Sequence, residues 1–258
     1  MRFLWLLLLG LLLGGQASLA DRLPPAAVPI GRLDTPWWKE RHAAKLAEAA
    51  HGPFDLLLLG DSITQDYELT GPEPSRDFRA VWQRFYGDRR VLNLGFSGDA
   101  TSHLLWRLQH GELDGLHPKA AVILIGANNL GRLHWSAADT VLGIGAVVAE
   151  AHRRLPETKL LLLGVLPSDR GDWTLQTGFA INAALAARYG GGAVPYVTYR
   201  DVSSLFLKGA AVDTSLYYDP LESPPRPALH PSPEGMARLA AAIEPELSAM
   251  LGDRPHTR

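Results

Sequence analysis

The 258-residue chain has no cysteine. Disulfides, a thiolate nucleophile and a lipidated N-terminal cysteine are excluded, although this alone does not fix the compartment. Neither sign of charge is in excess, with 25 Lys and Arg against 27 Asp and Glu. No basic stripe points to nucleic acid, and no acidic tail points to a charge-driven partner. Nine histidines are present, but none falls in a His-Glu-x-x-His or other zinc spacing. Beyond the first twenty residues, no run is long and apolar enough to cross a bilayer.

Those first twenty residues carry the layout of a secretory signal peptide. Arg2 supplies a positive start, and a leucine-rich run follows from Phe3 to Leu13. Gly14, Gly15 and Gln16 break it, and Ser18-Leu19-Ala20 puts small residues at a cleavage position. The run is short for an uncleaved anchor. Cleavage after Ala20 is expected, with the mature chain exported to a periplasm or the medium.

Residues 21–35 are rich in proline and read as an extended lead-in. Residues 36–50 predict a helix, with Pro36 in its first turn and an apolar stripe of Trp37, Trp38, His42 and Leu46. Strand patterns follow at residues 56–59, 91–94, 121–125, 160–163 and 194–197. Helical patterns near residues 77–86, 102–110, 140–154 and 175–189 alternate with them, and a last helix covers about 233–251. This alternation predicts βαβ units and a parallel sheet covered on both faces. With no repeat and no linker, residues 36–258 read as one domain. Gly190-Gly191-Gly192 reads as a helix stop, and residues 220–233 as an irregular proline-rich loop.

Four features fall at or just past predicted strand ends, or just before the last helix. The first strand ends in Gly60-Asp61-Ser62. The second ends in Asn93-Leu94-Gly95-Phe96-Ser97-Gly98-Asp99, and the third in Gly126-Ala127-Asn128-Asn129. His230 precedes the last helix. Ligands of open α/β sheets bind at the carboxyl ends of strands. A serine hydroxyl becomes a nucleophile when a base takes its proton. Histidine, with an unperturbed pKa of about 6.5, suits that role. The resulting oxyanion needs fixed donors, which the Ser62 and Gly98 N–H groups and the Asn128 amide can supply. Taken singly, Gly98 also suits a turn, Asn128 or Asn129 a helix cap, and His230 an ordinary loop. Their coincidence at one sheet edge favours the chemical reading.

The set resembles the SGNH hydrolases, also called GDSL esterases or lipases. Within them it is similar to the branch holding the catalytic subunits of platelet-activating-factor acetylhydrolase. Gly60-Asp61-Ser62, Asn93 through Thr101, Leu104-Leu105-Trp106-Arg107-Leu108 with Gly111-Glu112-Leu113, Gly126 through Asn129, and His230 with Pro233-Glu234-Gly235 carry the resemblance. It extends over residues 37–251. It implies a flavodoxin-like three-layer α/β/α sandwich with a central five-stranded parallel sheet. It also implies hydrolysis of carboxylic esters without metal or cofactor. Ser62 would be the nucleophile, His230 the general base, and Gly98 and Asn128 the oxyanion hole. The Gly-x-Ser-x-Gly elbow of the other large esterase class is absent.

One position departs from the pattern. The family has Asp-x-x-His before the last helix, and here Pro227 stands in the aspartate's place. Asp219, eleven positions before His230, can orient the imidazole if the loop folds back. Glu222 is a second candidate, and a backbone carbonyl a third. Asp219 also suits a turn before proline. Asp61 is expected to bond nearby backbone rather than act as a base. Arg107 and Glu112 fit a packed helix end equally well.

The leading expectation is an exported serine esterase that removes short acyl groups, acetyl above all, through a covalent acyl-enzyme. Its partner would be a small-molecule or glycan ester, or a lipid. An acyltransferase at the same site and a non-catalytic binding module on a degenerate scaffold are the alternatives. Trp135 and Trp173 suit either a sugar site or packing.

Overall fold

The computed structural model describes residues 23–256, so the expected signal peptide at 1–20 lies outside the described residues. Five strands form one sheet: β1 Leu56–Gly60, β2 Val91–Gly95, β3 Ala120–Leu124, β4 Lys159–Leu163 and β5 Val197–Arg200. All neighbours are parallel, in the order β2-β1-β3-β4-β5. Among the described residues eight α-helices accompany them: α1 Pro36–Ala49, α2 Ser62–Gln65, α3 Arg79–Tyr86, α4 Thr101–Gln109, α5 Ala127–Gly131, α6 Ala137–Arg154, α7 Asp172–Tyr189 and α8 Pro233–Leu251.

The central strand explains the three layers. Leu56 and Leu58 share a core with Phe85 of α3 and with Met236, Leu239 and Ile243 of α8. Leu57 and Leu59 share the opposite core with Leu104 of α4, Val147 of α6 and Leu185 of α7. All four are buried. A strand covered on both faces has no polar alternation, hence the unbroken leucine run. This is the expected α/β/α sandwich. Its strand order reverses between β1 and β3, where doubly wound sheets place their ligands.

The differences from the sequence reading are local. The fifth strand starts at Val197 rather than 194, because Pro195 has no N–H for a ladder. Pairing opens at the Tyr196 carbonyl, which accepts the Leu160 N–H at 2.9 Å. The helix expected from 140 starts at Ala137, where Ser136 caps it by accepting the Asp139 N–H at 3.1 Å. α7 likewise starts three residues earlier than expected, at Asp172. The stretch read as an extended lead-in is partly built into the domain. Pro25–Ala27 forms a 3-10 turn with Ala26 and Ala27 buried. The Ala26 carbonyl accepts from Thr101 Oγ1 at 2.7 Å, and the Ile30 N–H donates to Ser102 O at 3.1 Å.

Candidate active site

Ser62 opens α2 directly after β1. Asp61 caps that helix, its Oδ1 accepting the Ile63 N–H at 3.0 Å. The chain turns back so tightly that Gly60 has no room for a side chain. A Cβ there would overlap Thr64 and come 2.5 Å from the Leu124 carbonyl oxygen.

Gly98 lies past the end of β2 with φ +74°, the left-handed region that glycine enters without strain. The Asp99 N–H closes its turn on Phe96 O at 3.1 Å. Fully buried Asp99 then holds the turn from below. It accepts from Trp38 Nε1 at 2.8 Å, Arg32 Nη1 at 3.0 Å and Arg107 Nε at 2.8 Å. Arg107 also donates to the Gly60 carbonyl at 3.1 Å and pairs with Glu112. Glu112 in turn lies 3.1 Å from His42 Nδ1. Arg107 is thus more than helix-end packing: a fully buried cation ties the nucleophile strand to the Gly98 turn. Sequence reasoning assigned Asp99 no such role, although both residues stood inside the middle motif.

The two asparagines after β3 divide the work. Asn129 pins the start of α4, accepting the Thr101 N–H at 3.0 Å and donating to Thr101 Oγ1 at 2.8 Å. Asn128 instead donates to Asp99 O at 3.0 Å and lies 3.5 Å from Asp61 Oδ2. Its amide therefore joins the Gly98 turn to the turn that carries Ser62.

His230 reaches this point because the loop before α8 folds back. Tyr217 and Pro231 form an antiparallel bridge. The Tyr218 N–H donates to His230 O at 3.0 Å, and the Ser232 N–H to Leu216 O at 2.7 Å. Pairing in opposite directions brings Asp219 beside His230 despite eleven positions of separation. His230 Nδ1 lies 2.7 Å from Asp219 Oδ1, and His230 Nε2 lies 3.0 Å from Ser62 Oγ. Asp219 Oδ2 accepts the Leu229 and His230 N–H groups at 2.9 and 2.5 Å. The Tyr218 ring stacks on the imidazole, with centroids 5.4 Å apart and planes 12° off parallel. Glu222 does not touch His230: it pairs with Arg226, which itself lies 3.3 Å from Asp219 Oδ1, and, at 3.8 Å, with Arg76. Of the three candidates to orient His230, the carboxylate of Asp219 is the one in contact.

Burial opposes charge on the His230 imidazole. The hydrogen bond and charge of Asp219, with Asp66 and Asp61 behind it, outweigh burial and raise its pKa above the ordinary 6.5. Burial also pushes Asp219 up, but the His230 contacts and two N–H donors hold it below the ordinary range. Burial pushes the carboxyls of Asp61 and Asp66 up to about 7 and about 6. If the neutral imidazole is the base, kcat/KM is expected to rise with pH through an ionisation above 6.5. In Asp219→Asn the largest raising cause is gone, with Asp66 and Asp61 remaining, so the limb should move to lower pH. A pH–rate profile in which the limb stays fixed would assign it to Asp61 or Asp66 instead.

Trp173 is exposed and sits near His134, with ring centroids 5.1 Å apart, whereas Trp135 is half-buried. A cavity of about 770 Å³ opens along β2 among Tyr67, Trp82 and Asn93. None of Ser62, Gly98, Asn128 or His230 lines it.

Residues 58–238 match the GDSL-like lipase/acylhydrolase family. The chain is 27% identical over 241 residues to the chicken (Gallus gallus) platelet-activating factor acetylhydrolase IB subunit alpha2, covering 91% of this chain and 95% of that protein. It is 33% identical over 150 residues to the human subunit alpha2, where the match spans 55% of this chain and only 58% of the relative. A GDSL-like lipase from Bacteroides thetaiotaomicron has a similar fold, with TM-score 0.60, 18% identity and coverage of 81% of this chain and 97% of that one. So does a carbohydrate esterase family 3 protein from Talaromyces cellulolyticus, with TM-score 0.57, 18% identity and coverage of 77% and 98%. The family match runs through most of the chain and includes Ser62, Gly98, Asn128 and His230. The chain belongs to the GDSL-like lipase/acylhydrolase family, a family of carboxylic ester hydrolases.

Proposed function

We propose that this chain is an exported serine esterase that removes short acyl groups, acetyl above all, through a covalent intermediate on Ser62. The contact that carries the reading is the line Ser62 Oγ, His230 Nε2, His230 Nδ1, Asp219 Oδ1. Ser62 Oγ attacks the ester carbonyl while His230 Nε2 takes its proton. Asp219 keeps the other ring nitrogen protonated and steadies the imidazolium. The Ser62 and Gly98 N–H groups and the Asn128 amide receive the oxyanion. Loss of one such donor typically costs roughly 2.7–4 kcal/mol of transition-state stabilisation. His230 then protonates the leaving alcohol, and water activated by the same imidazole releases the acid. Export rests on residues 1–20. The acetyl preference is supported by the names of the acetylhydrolase relatives, and a glycan ester by the carbohydrate esterase of similar fold.

The binding-module alternative leaned on Pro227, and the contact of Asp219 with His230 removes that support. Mixing the mature protein with p-nitrophenyl acetate should give a burst of about one nitrophenol per active site, provided deacylation is the slower step. The mass of the quenched protein should show an acetyl group on Ser62. Rates should fall along the acetate, butyrate and octanoate series. Turnover that survives undiminished in Ser62→Ala would reject the covalent route through this serine. Transfer of the acetyl group to an added alcohol, faster than to water, would favour the acyltransferase.

A further inference from the structure

Two arginines beside the oxyanion residues are in no ion pair among the described residues. Arg132 follows α5, whose second residue is Asn128. It is exposed, its guanidinium rests against Gly98, and Nη1 lies 3.5 Å from the Gly98 carbonyl oxygen. Arg170 is half-buried in the loop before α7 and donates to Ala127 O at 2.9 Å and Ser168 Oγ at 3.2 Å. Arg32, by contrast, is committed to Asp99. The Arg170 loop is tied to the His230 loop, because the Asp169 N–H donates to Ala228 O at 2.9 Å. Asp169 and Asp172 flank it, exposed, and pair with neither arginine.

Two aromatic rings lie close to these arginines along the chain, His134 two residues past Arg132 and Trp173 three past Arg170. Trp173 is 45% exposed, and His134 lies beside it with ring centroids 5.1 Å apart. His134 is the one non-glycine residue with positive φ among the described residues, at 51°. Such backbone costs energy and persists where the surroundings enforce it. Flat apolar faces with a polar edge suit the C–H face of a sugar ring, and guanidinium forks suit carboxylate or phosphate.

We propose that the natural substrate is an O-acetylated sugar bearing an anionic group, with Trp173 and His134 under the ring and Arg132 and Arg170 on the anion. This rests on the esterase reading of Ser62 and names its substrate class. Both arginines adjoin the oxyanion donors, so the anion sits within one sugar ring of the scissile acetyl.

The test compares acetylated methyl glucuronate with a free carboxylate, acetylated glucose 6-phosphate and acetylated methyl glucoside, with p-nitrophenyl acetate as a reference. The wild-type protein should favour one anionic sugar over the neutral one by about tenfold or more in kcat/KM. Which anion leads identifies its source. Arg132→Ala should bring that ratio close to one, and Arg132→Lys should retain part of it. Salt at about 0.5 M should compress it. Trp173→Ala should raise KM for every sugar more than kcat falls. A wild-type ratio near one, or an unchanged ratio in Arg132→Ala, overturns the proposal. So does failure on all sugars with p-nitrophenyl acetate still cleaved, which leaves the esterase reading intact. Failure on p-nitrophenyl acetate as well would remove that reading.

Discussion

Ser62→Ala is expected to lower kcat/KM toward p-nitrophenyl acetate by about 10⁴-fold or more, with the melting temperature nearly unchanged. Removing the nucleophile of a serine–histidine unit costs almost as much as removing the whole unit, because its members act together. Ser62 is buried, but among the described residues its hydroxyl hydrogen-bonds the His230 ring alone, so alanine leaves the backbone bonds of α2 in place. Asp219→Asn should fall nearly as far, by about 10³–10⁴-fold, since an amide does not hold the required tautomer. Glu222→Gln is the contrast. Its partners are Arg226 and Arg76, so its rate should stay within about threefold of wild type. Rates for the three variants side by side, with thermal melts, check the assignment. Comparable losses in Asp219→Asn and Glu222→Gln would show that His230 is oriented otherwise.

Arg107→Met is expected to destabilise the fold by about 3–5 kcal/mol. That is the typical cost of removing one member of a buried charge network and leaving the others unpaired. Asp99 and Glu112, both fully buried, would each lose a partner, and the Gly60 carbonyl would lose a donor. The Arg107 guanidinium also sits over the Phe96 ring at 3.9 Å, and methionine restores only the packing part of that contact. For a chain of this size the loss corresponds to roughly 10 °C in melting temperature. The same substitution should lower kcat well below the melting point, since Arg107 joins the end of β1 to the turn bearing Gly98. Calorimetry beside kcat at low temperature separates the two effects. A double variant with Glu112→Gln should recover part of the stability, because Asp99 keeps Arg32 and Trp38 whereas Glu112 is left with His42 alone. A single variant melting within 2 °C of wild type would contradict the network's stated weight.

Much of this architecture was legible along the chain. Leucine runs at 56–59 and 160–163 declare strands buried on both faces. Their alternation with helical periods leaves few ways to wind a parallel sheet. Gly60, Ser62, Gly98, Asn128 and His230 were readable too, because each sits next to an element end, and element ends have local signals. The two short helices after β1 and β3 were given no bounds, since four or five residues carry no period.

Long-range pairing is another matter. Nothing within residues 219–230 states that Asp219 meets His230. That contact follows from the bridge of Tyr217 with Pro231 and from backbone bonds between the two segments. Likewise Arg107, Asp99, Trp38 and Glu112 share one buried cluster only after α1, α4 and the Gly98 turn have packed together. Local propensity reaches a few residues in either direction and so specifies elements and their ends. A charge or hydrogen bond between distant segments exists only after packing excludes water and brings those groups within about 3 Å. The residue types of the site could therefore be read in one dimension, whereas the choice of Asp219 over Glu222 required three.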